Sequence, residues 1–239
     1  MKRVLLLILP LAVIVSSCGY IGGKRVKGNG NVRTEDRTPG NFSGIASHGS
    51  FNVFVSTGPQ SVRIEGDENL LQFIETYVEG STLNIETRDG YWLKPKRDIS
   101  IYITSPTFSS IQSYGSGDII GRSPISDSTK MDVGVTGSAN IDLEINAPIV
   151  DADITGSGDI KLRGETKSFK TEIHGSGNIR AMDLRSEETV VNIAGSGDAE
   201  VFASVRLKIE VAGSGDIRYR GNAQVSSNIA GSGGVRKVD

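Results

Sequence analysis

The chain has 239 residues, of which 37% are hydrophobic and 6% aromatic, and 26 basic against 28 acidic side chains give a formal net charge of −2. A nucleic-acid binder held by phosphate contacts normally shows a basic excess, so this balance argues against that class. The single cysteine excludes an internal disulfide framework and a multi-thiolate metal site. Two histidines leave little for zinc or for a general base. Thirty residues are glycine, well above the usual ~7%.

The amino terminus resembles a bacterial lipoprotein signal. Residues 1–17 combine a short basic start with an apolar run, Val4 to Val15, that is too short for a transmembrane helix of ~20 residues. The run ends in Val15-Ser16-Ser17-Cys18, which is similar to the lipobox whose cysteine is diacylated. We therefore expect a signal peptide at 1–17 and lipid attachment at Cys18, with the membrane as partner through that lipid. An ordinary signal peptide followed by an incidental cysteine is the alternative.

Residues 18–30 are rich in glycine and predict a flexible lipidated tether. The residue after Cys18 is not aspartate, which in lipoproteins generally is compatible with sorting to an outer membrane. We therefore expect a cell-envelope protein, on either the periplasmic or the surface face of that membrane.

Residues 31–110 predict a smaller antiparallel β lobe on the N-terminal side. Ser61 to Glu65 reads as a strand, and Gly66-Asp67-Glu68 opens a short helical turn. Apolar residues then alternate on both sides of Glu79-Gly80-Ser81, which indicates a hairpin. Alternating isoleucines from Ile99 to Ile103 predict a further strand.

The segment from Tyr91 to Arg97 is the most distinctive loop of this lobe. It holds the only tryptophan of the chain, Trp92, next to three cations that include Lys94 and Lys96. An aromatic ring beside cations can contact a glycan or a partner protein, so Trp92, Lys94 and Lys96 are candidate ligand contacts. The alternative is that Trp92 covers one end of the core.

A motif of the form Gly-Ser-Gly-Asp-Ile repeats through the second half of the chain. Successive copies are 22, 19, 19, 20, 18 and 18 residues apart. An eighth, divergent copy begins at Gly49. The seven regular copies begin at Gly115, Gly137, Gly156, Gly175, Gly195, Gly213 and Gly231.

Apolar residues alternate around each copy, as in Ile154, Gly156, Gly158 and Ile160, which is typical of a strand with one buried face. One such unit per 18–22 residues, without a helical period, predicts a β-solenoid over residues 111–239. The glycines either permit close approach of neighbouring backbone or mark a corner. The fold class expected is therefore all-β, a β-helix-like repeat solenoid with the antiparallel lobe before it.

The run from Val62 to Leu71, the hairpin after it and the glycine repeats together resemble the putative auto-transporter adhesin head GIN domain family, over roughly residues 40–221. The resemblance implies an all-β, β-helix-like protein of bacterial envelopes, secreted or lipid-anchored. It implies adhesion by analogy and brings no catalytic residues.

Stacking of the coils is expected to place a column of Asp and Asn beside a column of serines. Its members are Asp118, Asn140, Asp159, Asn178, Asp198 and Asp216. A calcium site gathers several oxygen ligands around one ion. The alternation of Asp with Asn instead separates carboxylates, which would repel each other at ~4.8 Å. A structural ladder is therefore favoured over calcium binding. Serine in every copy, without a nucleophile elbow, favours a polar ladder over catalysis. His174 and His48 occupy a slot that accepts very different residues, which indicates an exposed and incidental position.

The function expected is therefore a lipid-anchored, non-catalytic, adhesin-like binding scaffold, with no catalytic residues, metal or cofactor. A glycan or an envelope protein is the expected partner, and nucleic acid is not. A β-helix-type enzyme that acts on polysaccharide is the main alternative, and a signalling or assembly partner of other envelope proteins is the second. The sequence makes no prediction of the oligomeric state.

Overall fold

A computed structural model describes residues 23–239, and the chain is almost entirely β, with 68% strand and 1% helix. Stacked parallel coils form a β-solenoid and antiparallel strands lie elsewhere, so the predicted fold class is confirmed. The predicted signal peptide at 1–17 and the predicted lipid attachment at Cys18 lie outside the described residues.

Residues 23–110 contain nine strands that end before Ser110 and one short 3-10 turn, Leu71–Phe73. The strands are β1 (Lys24–Lys27), β2 (Val32–Arg37), β3 (Gly44–Gly49), β4 (Asn52–Thr57), β5 (Ser61–Asp67), β6 (Ile74–Glu79), β7 (Thr82–Thr87), β8 (Tyr91–Lys94) and β9 (Ser100–Ser105). The strand at 61–65, the turn, the hairpin and the strand near 99–103 lie where the sequence predicted them.

The repeat region contains the remaining thirteen strands. They are β10 (Ser110–Gly115), β11 (Ile119–Gly121), β12 (Ile125–Ser126), β13 (Lys130–Gly137), β14 (Asn140–Asn146), β15 (Ile149–Gly156), β16 (Asp159–Gly175), β17 (Asn178–Gly195), β18 (Ala199–Phe202), β19 (Arg206–Gly213), β20 (Ile217–Arg220), β21 (Gln224–Gly231) and β22 (Val235–Lys237).

Two stacks of parallel strands build the solenoid. The first stack runs β7, β3, β10, β13, β15, β16, β17, β19, β21, and each pair is parallel. The second runs β9, β4, β11, β14 and then through the first parts of β16 and β17 to β18, β20 and β22. The stacks already begin with β3 and β4, so the N-terminal lobe continues into the repeats without a break in the sheet.

Antiparallel pairs lie at the N-terminal end of these stacks. Strand β6 pairs with β7, β5 pairs with β9, and β2 pairs with β5. These strands cover the first edge of each stack with hydrogen-bonded neighbours, which removes an exposed edge. At the other end, β21 and β22 pair only with the preceding coil among residues 23–239.

The core lies between the two stacks and is built from equivalent side chains of successive coils. Ile154 of β15 lies in register with Ile173 of β16, which lies in register with Ile193 of β17. All three are buried, with at most 3% of their surface exposed. Burial of an isoleucine side chain contributes about 1.5–3 kcal/mol to the stability of the fold, and each coil of the stack adds a contribution of this kind.

The Gly-Ser-Gly motif forms the corner between the two stacks. At Gly175 the backbone has a φ of +132°, and a Cβ atom there would lie 2.3 Å from the carbonyl oxygen of Gly156 in the previous coil. At Gly177 a Cβ would meet the carbonyl oxygen of Gly158 at 2.1 Å. Both readings of the glycines therefore hold: the first turns the corner, and both permit direct contact between backbones.

The Asp and Asn column forms a ladder of hydrogen bonds between coils. Asp198 Oδ1 accepts the backbone N–H of Asp216 at 2.8 Å, and Asp216 Oδ1 accepts the N–H of Gly234 at 2.8 Å. In the same way, the backbone N–H of Asn178 donates to Asp159 Oδ1 at 3.1 Å, and the side-chain amide of Asn178 donates to the same oxygen at 2.8 Å. The oxygens thus satisfy backbone donors that the corner leaves without a strand partner.

A buried carboxylate fastens the N-terminal segment to the body of the lobe. Asp67 is fully buried at the end of β5. Its Oδ1 accepts the N–H of Gly30 at 2.7 Å and its Oδ2 accepts the N–H of Lys96 at 2.7 Å. Gly28 packs so closely that a Cβ would lie 1.8 Å from Oδ2. We call this arrangement the Asp67 clasp.

The clasp and strand β1 correct one prediction. The sequence predicted a flexible tether over residues 18–30, but Lys24–Lys27 form a strand that pairs in parallel with β8. The prediction rested on glycine content, and it missed a partner strand 67 residues away in sequence.

We predict that Gly175→Ala destabilises the solenoid by about 2–4 kcal/mol, because a positive φ and a backbone clash coincide at that residue. Ser176→Ala is the matched control, since Ser176 is exposed and its loss is expected to change stability by less than about 0.5 kcal/mol. Chemical denaturation followed by circular dichroism measures both variants. Equal unfolding midpoints for the two would contradict the corner assignment.

We also predict that Asp67→Ala releases the N-terminal segment, because two backbone N–H groups lose a charged acceptor whose bonds contribute about 1.5–3 kcal/mol each. Amide hydrogen exchange at Gly30 and Lys96 should accelerate by tenfold or more, while exchange in β16 stays unchanged. Asp89→Ala, an exposed acid nearby in the lobe, serves as control. Unchanged protection at both amides would show that the clasp does not hold the segment.

Candidate functional site

The serine column and His174 lie on the outer surface, as the sequence predicted, whereas the structure corrects the same prediction for His48. All seven serines of the regular copies are exposed. His174 is exposed, and it lies in register between Thr155 and Ala194. His48 is half-buried, because its ring stacks on Tyr114 at 4.8 Å with an interplanar angle of 10°.

A shallow groove of about 320 Å³ runs along this slot on the C-terminal coils. Its floor is formed by Ala194, Ala212 and Ala230, which lie in register on β17, β19 and β21. We call it the alanine groove. Its polar wall consists of Glu172, Asn192, Glu210 and Asn228, one from each successive coil. The groove therefore offers a repeated polar contact at steps of ~4.8 Å over a small apolar floor.

Opposed electrostatic effects act on two acids at the beginning of this wall. Asp153 lies in register with Glu172 on the next coil. Partial desolvation, followed by the negative charges of Glu172 and Asp151, raises the pKa of Asp153. A hydrogen bond with Lys170 lowers the pKa of Glu172. Adjacent carboxyls with pKa values displaced in opposite directions occur in acid–base sites, but also in surface ion-pair networks.

The predicted contact residues Trp92 and Lys94 lie on a two-stranded ribbon at the N-terminal end. Strand β8 pairs in parallel with β1, so that Arg25 lies beside Trp92 and Lys27 beside Lys94. These four side chains are exposed, while Val26 and Leu93 on the other side are half-buried. We call the exposed side, formed by Arg25, Lys27, Trp92 and Lys94, the basic tryptophan face.

The structure contradicts the alternative interpretation of Trp92 as a cover for the core. The side chain is 61% exposed, and Leu93 packs against the core instead. Tyr91 anchors the ribbon, because its ring packs on Phe73 with centroids 4.5 Å apart. A cleft of about 490 Å³ lies beside Trp92 and extends to His48 and Phe51.

Lys96 does not share the face with Trp92 and Lys94. Its backbone N–H belongs to the Asp67 clasp, and its Nζ donates to the carbonyl oxygen of Asn29 at 3.1 Å. Of the three contact residues predicted from the sequence, Trp92 and Lys94 therefore lie on the exposed face, whereas Lys96 holds the N-terminal segment in place.

Sequence reasoning missed Arg25 and Lys27 as members of this surface. The only signal was the basic run Lys24-Arg25-Val26-Lys27, whose single apolar residue marks the inner side of a short strand. The pairing with β8 could not be read from the sequence, because parallel neighbours carry no turn between them.

Within residues 23–239, no group of three or more His, Cys, Asp or Glu side chains is arranged to hold a metal ion. No helix in the same range is long and apolar enough to cross a membrane.

Several solved structures have a similar fold. A putative adhesin from Bacteroides fragilis is 24% identical, with a TM-score of 0.85 over 89% of this chain and 100% of that one. A putative lipid binding protein from Parabacteroides distasonis is 28% identical, with a TM-score of 0.73 over 90% and 100%. A putative adhesin from the same organism is 26% identical, with a TM-score of 0.73 over the same shares.

A search of curated proteins finds no match. The family model described as putative auto-transporter adhesin, head GIN domain, matches residues 41–223, which includes both stacks from β3 to β20. The chain therefore belongs to the head GIN domain family of putative auto-transporter adhesins.

Proposed function

We propose that this protein is a lipid-anchored envelope protein that acts as a non-catalytic, adhesin-like binding scaffold. Membership of an adhesin head family supports a role at the cell surface or in the envelope. The lipobox-like sequence that ends at Cys18 supports attachment through lipid, in an outer membrane. Two acyl chains bury enough methylene groups, at ~0.8 kcal/mol each, to anchor a protein stably.

The alanine groove is the observation that carries the binding role. An extended polymer that lies along the stack meets the same wall of amide and carboxylate groups once per coil. The floor of alanines allows close approach, and the parallel sheet beneath holds the wall rigid. A glycan chain, with hydroxyls along its length and apolar patches on its rings, has this chemistry.

A second candidate function, cleavage of a polysaccharide, is favoured by one observation. Asp153 and Glu172 are neighbours on adjacent coils, and their pKa values are displaced in opposite directions. Binding is the better supported role, because Glu172 is half-buried and ion-paired with Lys170 at 2.7 Å, which is also typical of a surface charge network.

The anchor is tested by metabolic labelling with radioactive palmitate in a bacterium that processes lipoproteins. We expect the natural chain to be labelled and Cys18→Ala to lose all label, because acylation needs the thiol. Ser17→Ala keeps a small residue before the cysteine and should retain the label. Equal labelling of Cys18→Ala and the natural chain would remove the lipid anchor from the proposal.

Glycan-array binding by residues 19–239, which include every residue that the structure describes, tests the groove. Ala212→Arg fills the floor and should weaken binding tenfold or more, whereas Thr136→Arg, at an exposed position of the same column four coils earlier, should not. Equal binding by both variants would contradict the groove. Release of reducing ends that is lost in Asp153→Asn would favour the enzyme instead.

A further inference from the structure

We propose that the basic tryptophan face binds an anionic lipid surface and sets the protein's orientation on its membrane. This inference rests on the proposed lipid anchor. Parallel pairing of β1 with β8 aligns Arg25 with Trp92 and Lys27 with Lys94, so that three cations and one indole point to the same side. The four side chains of the face include no acid, and the acids Glu86 and Asp98 line the cleft beside Trp92.

The cations of this face are available to an outside partner. The ion pairs formed within residues 23–239 use other basic residues, and neither Arg25, Lys27 nor Lys94 takes part in them. Cations on the stacked coils are used differently, as when Lys208 pairs with Glu210 at 2.8 Å. Unpaired Lys and Arg near a membrane are attracted to anionic headgroups.

The exposed indole adds an apolar contact that suits the same surface. Trp92 is 61% exposed, although burial of such a ring is strongly favourable. Tryptophan has an apolar body and one N–H donor, and it is enriched at the level of lipid headgroups. A ring flanked by cations therefore matches a layer in which apolar and phosphate groups lie side by side.

The length of the chain keeps this face close to the anchor. Only five residues lead from Cys18 to Gly23, and at ~3.3–3.6 Å per residue they span at most about 18 Å. Gly23 lies against the indole of Trp92, because a Cβ on Gly23 would meet Cδ1 at 2.1 Å. A lipid at Cys18 therefore brings Gly23 within about 18 Å of the lipidated residue, and Trp92 lies directly against Gly23.

The Asp67 clasp turns this proximity into an orientation. It ties Gly30, which follows β1, and Lys96, which follows β8, to the same carboxylate by hydrogen bonds of 2.7 Å, so that the ribbon cannot rotate freely against the lobe. A second copy of the chain is a poor occupant of the face, because three cations would meet three cations and repel.

Trp92 is the only tryptophan of the chain, so its fluorescence reports on this face alone. The test uses the protein purified from membranes and reconstituted in vesicles of phosphatidylcholine, with or without 30% phosphatidylglycerol. We expect a blue shift of the emission and quenching by brominated acyl chains only in the anionic vesicles. Half-molar salt should reverse both signals, because it screens the headgroup charge.

The triple variant Arg25→Gln, Lys27→Gln, Lys94→Gln should lose the shift and the quenching. The matched control Arg206→Gln, Arg218→Gln, Arg236→Gln removes the same charge from exposed positions on the last coils and should retain both. Emission that is identical in the two kinds of vesicle, without quenching, overturns the proposal and assigns the face to a protein or glycan partner. Equal loss in both triple variants also overturns it, because the effect would then be one of net charge.

The mass of the peptide that contains Cys18 separates this inference from the anchor. An acylated peptide without quenching of Trp92 refutes the face alone. If the peptide carries no acyl chain, the same preparation is floated with each kind of vesicle. Flotation with the anionic vesicles alone then supports the face and refutes the anchor, and flotation with neither refutes both.

Discussion

Direct contact between the backbones of successive coils, at the Gly-Ser-Gly corner, is the constraint on which the rest of the structure depends. At Gly175 and Gly177 even one methyl group would collide with the carbonyl oxygen of the coil before. Because the corners approach so closely, the strands on both sides stay in register, and Ile154, Ile173 and Ile193 meet in one buried column. The same register aligns the equivalent exposed residues of successive coils in columns on the outer surface.

The ladder of Asp and Asn follows from that constraint. A chain that turns sharply leaves backbone N–H groups without strand partners, and buried or half-buried donors need an acceptor. A short carboxylate or amide side chain just after the corner reaches the next coil, as Asp159 accepts the backbone N–H of the half-buried Asn178. The repeated acid is therefore a consequence of the repeated glycine, and the motif is explained by packing before any ligand is considered.

The sequence predicted these repeated features well and the unique ones poorly. The spacing of Gly156, Gly175 and Gly195 was sufficient to predict the coils, because a wrong repeat period would have disrupted the alternation of apolar residues in every copy of the motif. The ribbon of β1 and β8 occurs once and joins residues that are far apart in sequence. It is held by the carboxylate of Asp67, and the residues next to Asp67 in sequence do not indicate that this side chain is buried. Trp92 and Lys94 were found by residue type, whereas Arg25 and Lys27 needed the register of a single parallel pair.

The two ends of the molecule differ in a way that fits one orientation. The ribbon and the antiparallel strands lie beside the first coils, where the cleft next to Trp92 reaches His48 of β3. Ala212, in the middle of the alanine groove, lies on β19, six strands further along the first stack than β3, which is about 29 Å at the spacing of parallel strands. If the first end faces lipid, the groove is held away from headgroups, where a large polymer can reach it. Since the coils between them are joined by continuous hydrogen bonding, the solenoid acts as a rigid spacer. In that proposed orientation, the number of coils between the two ends would set how far the groove stands from the membrane.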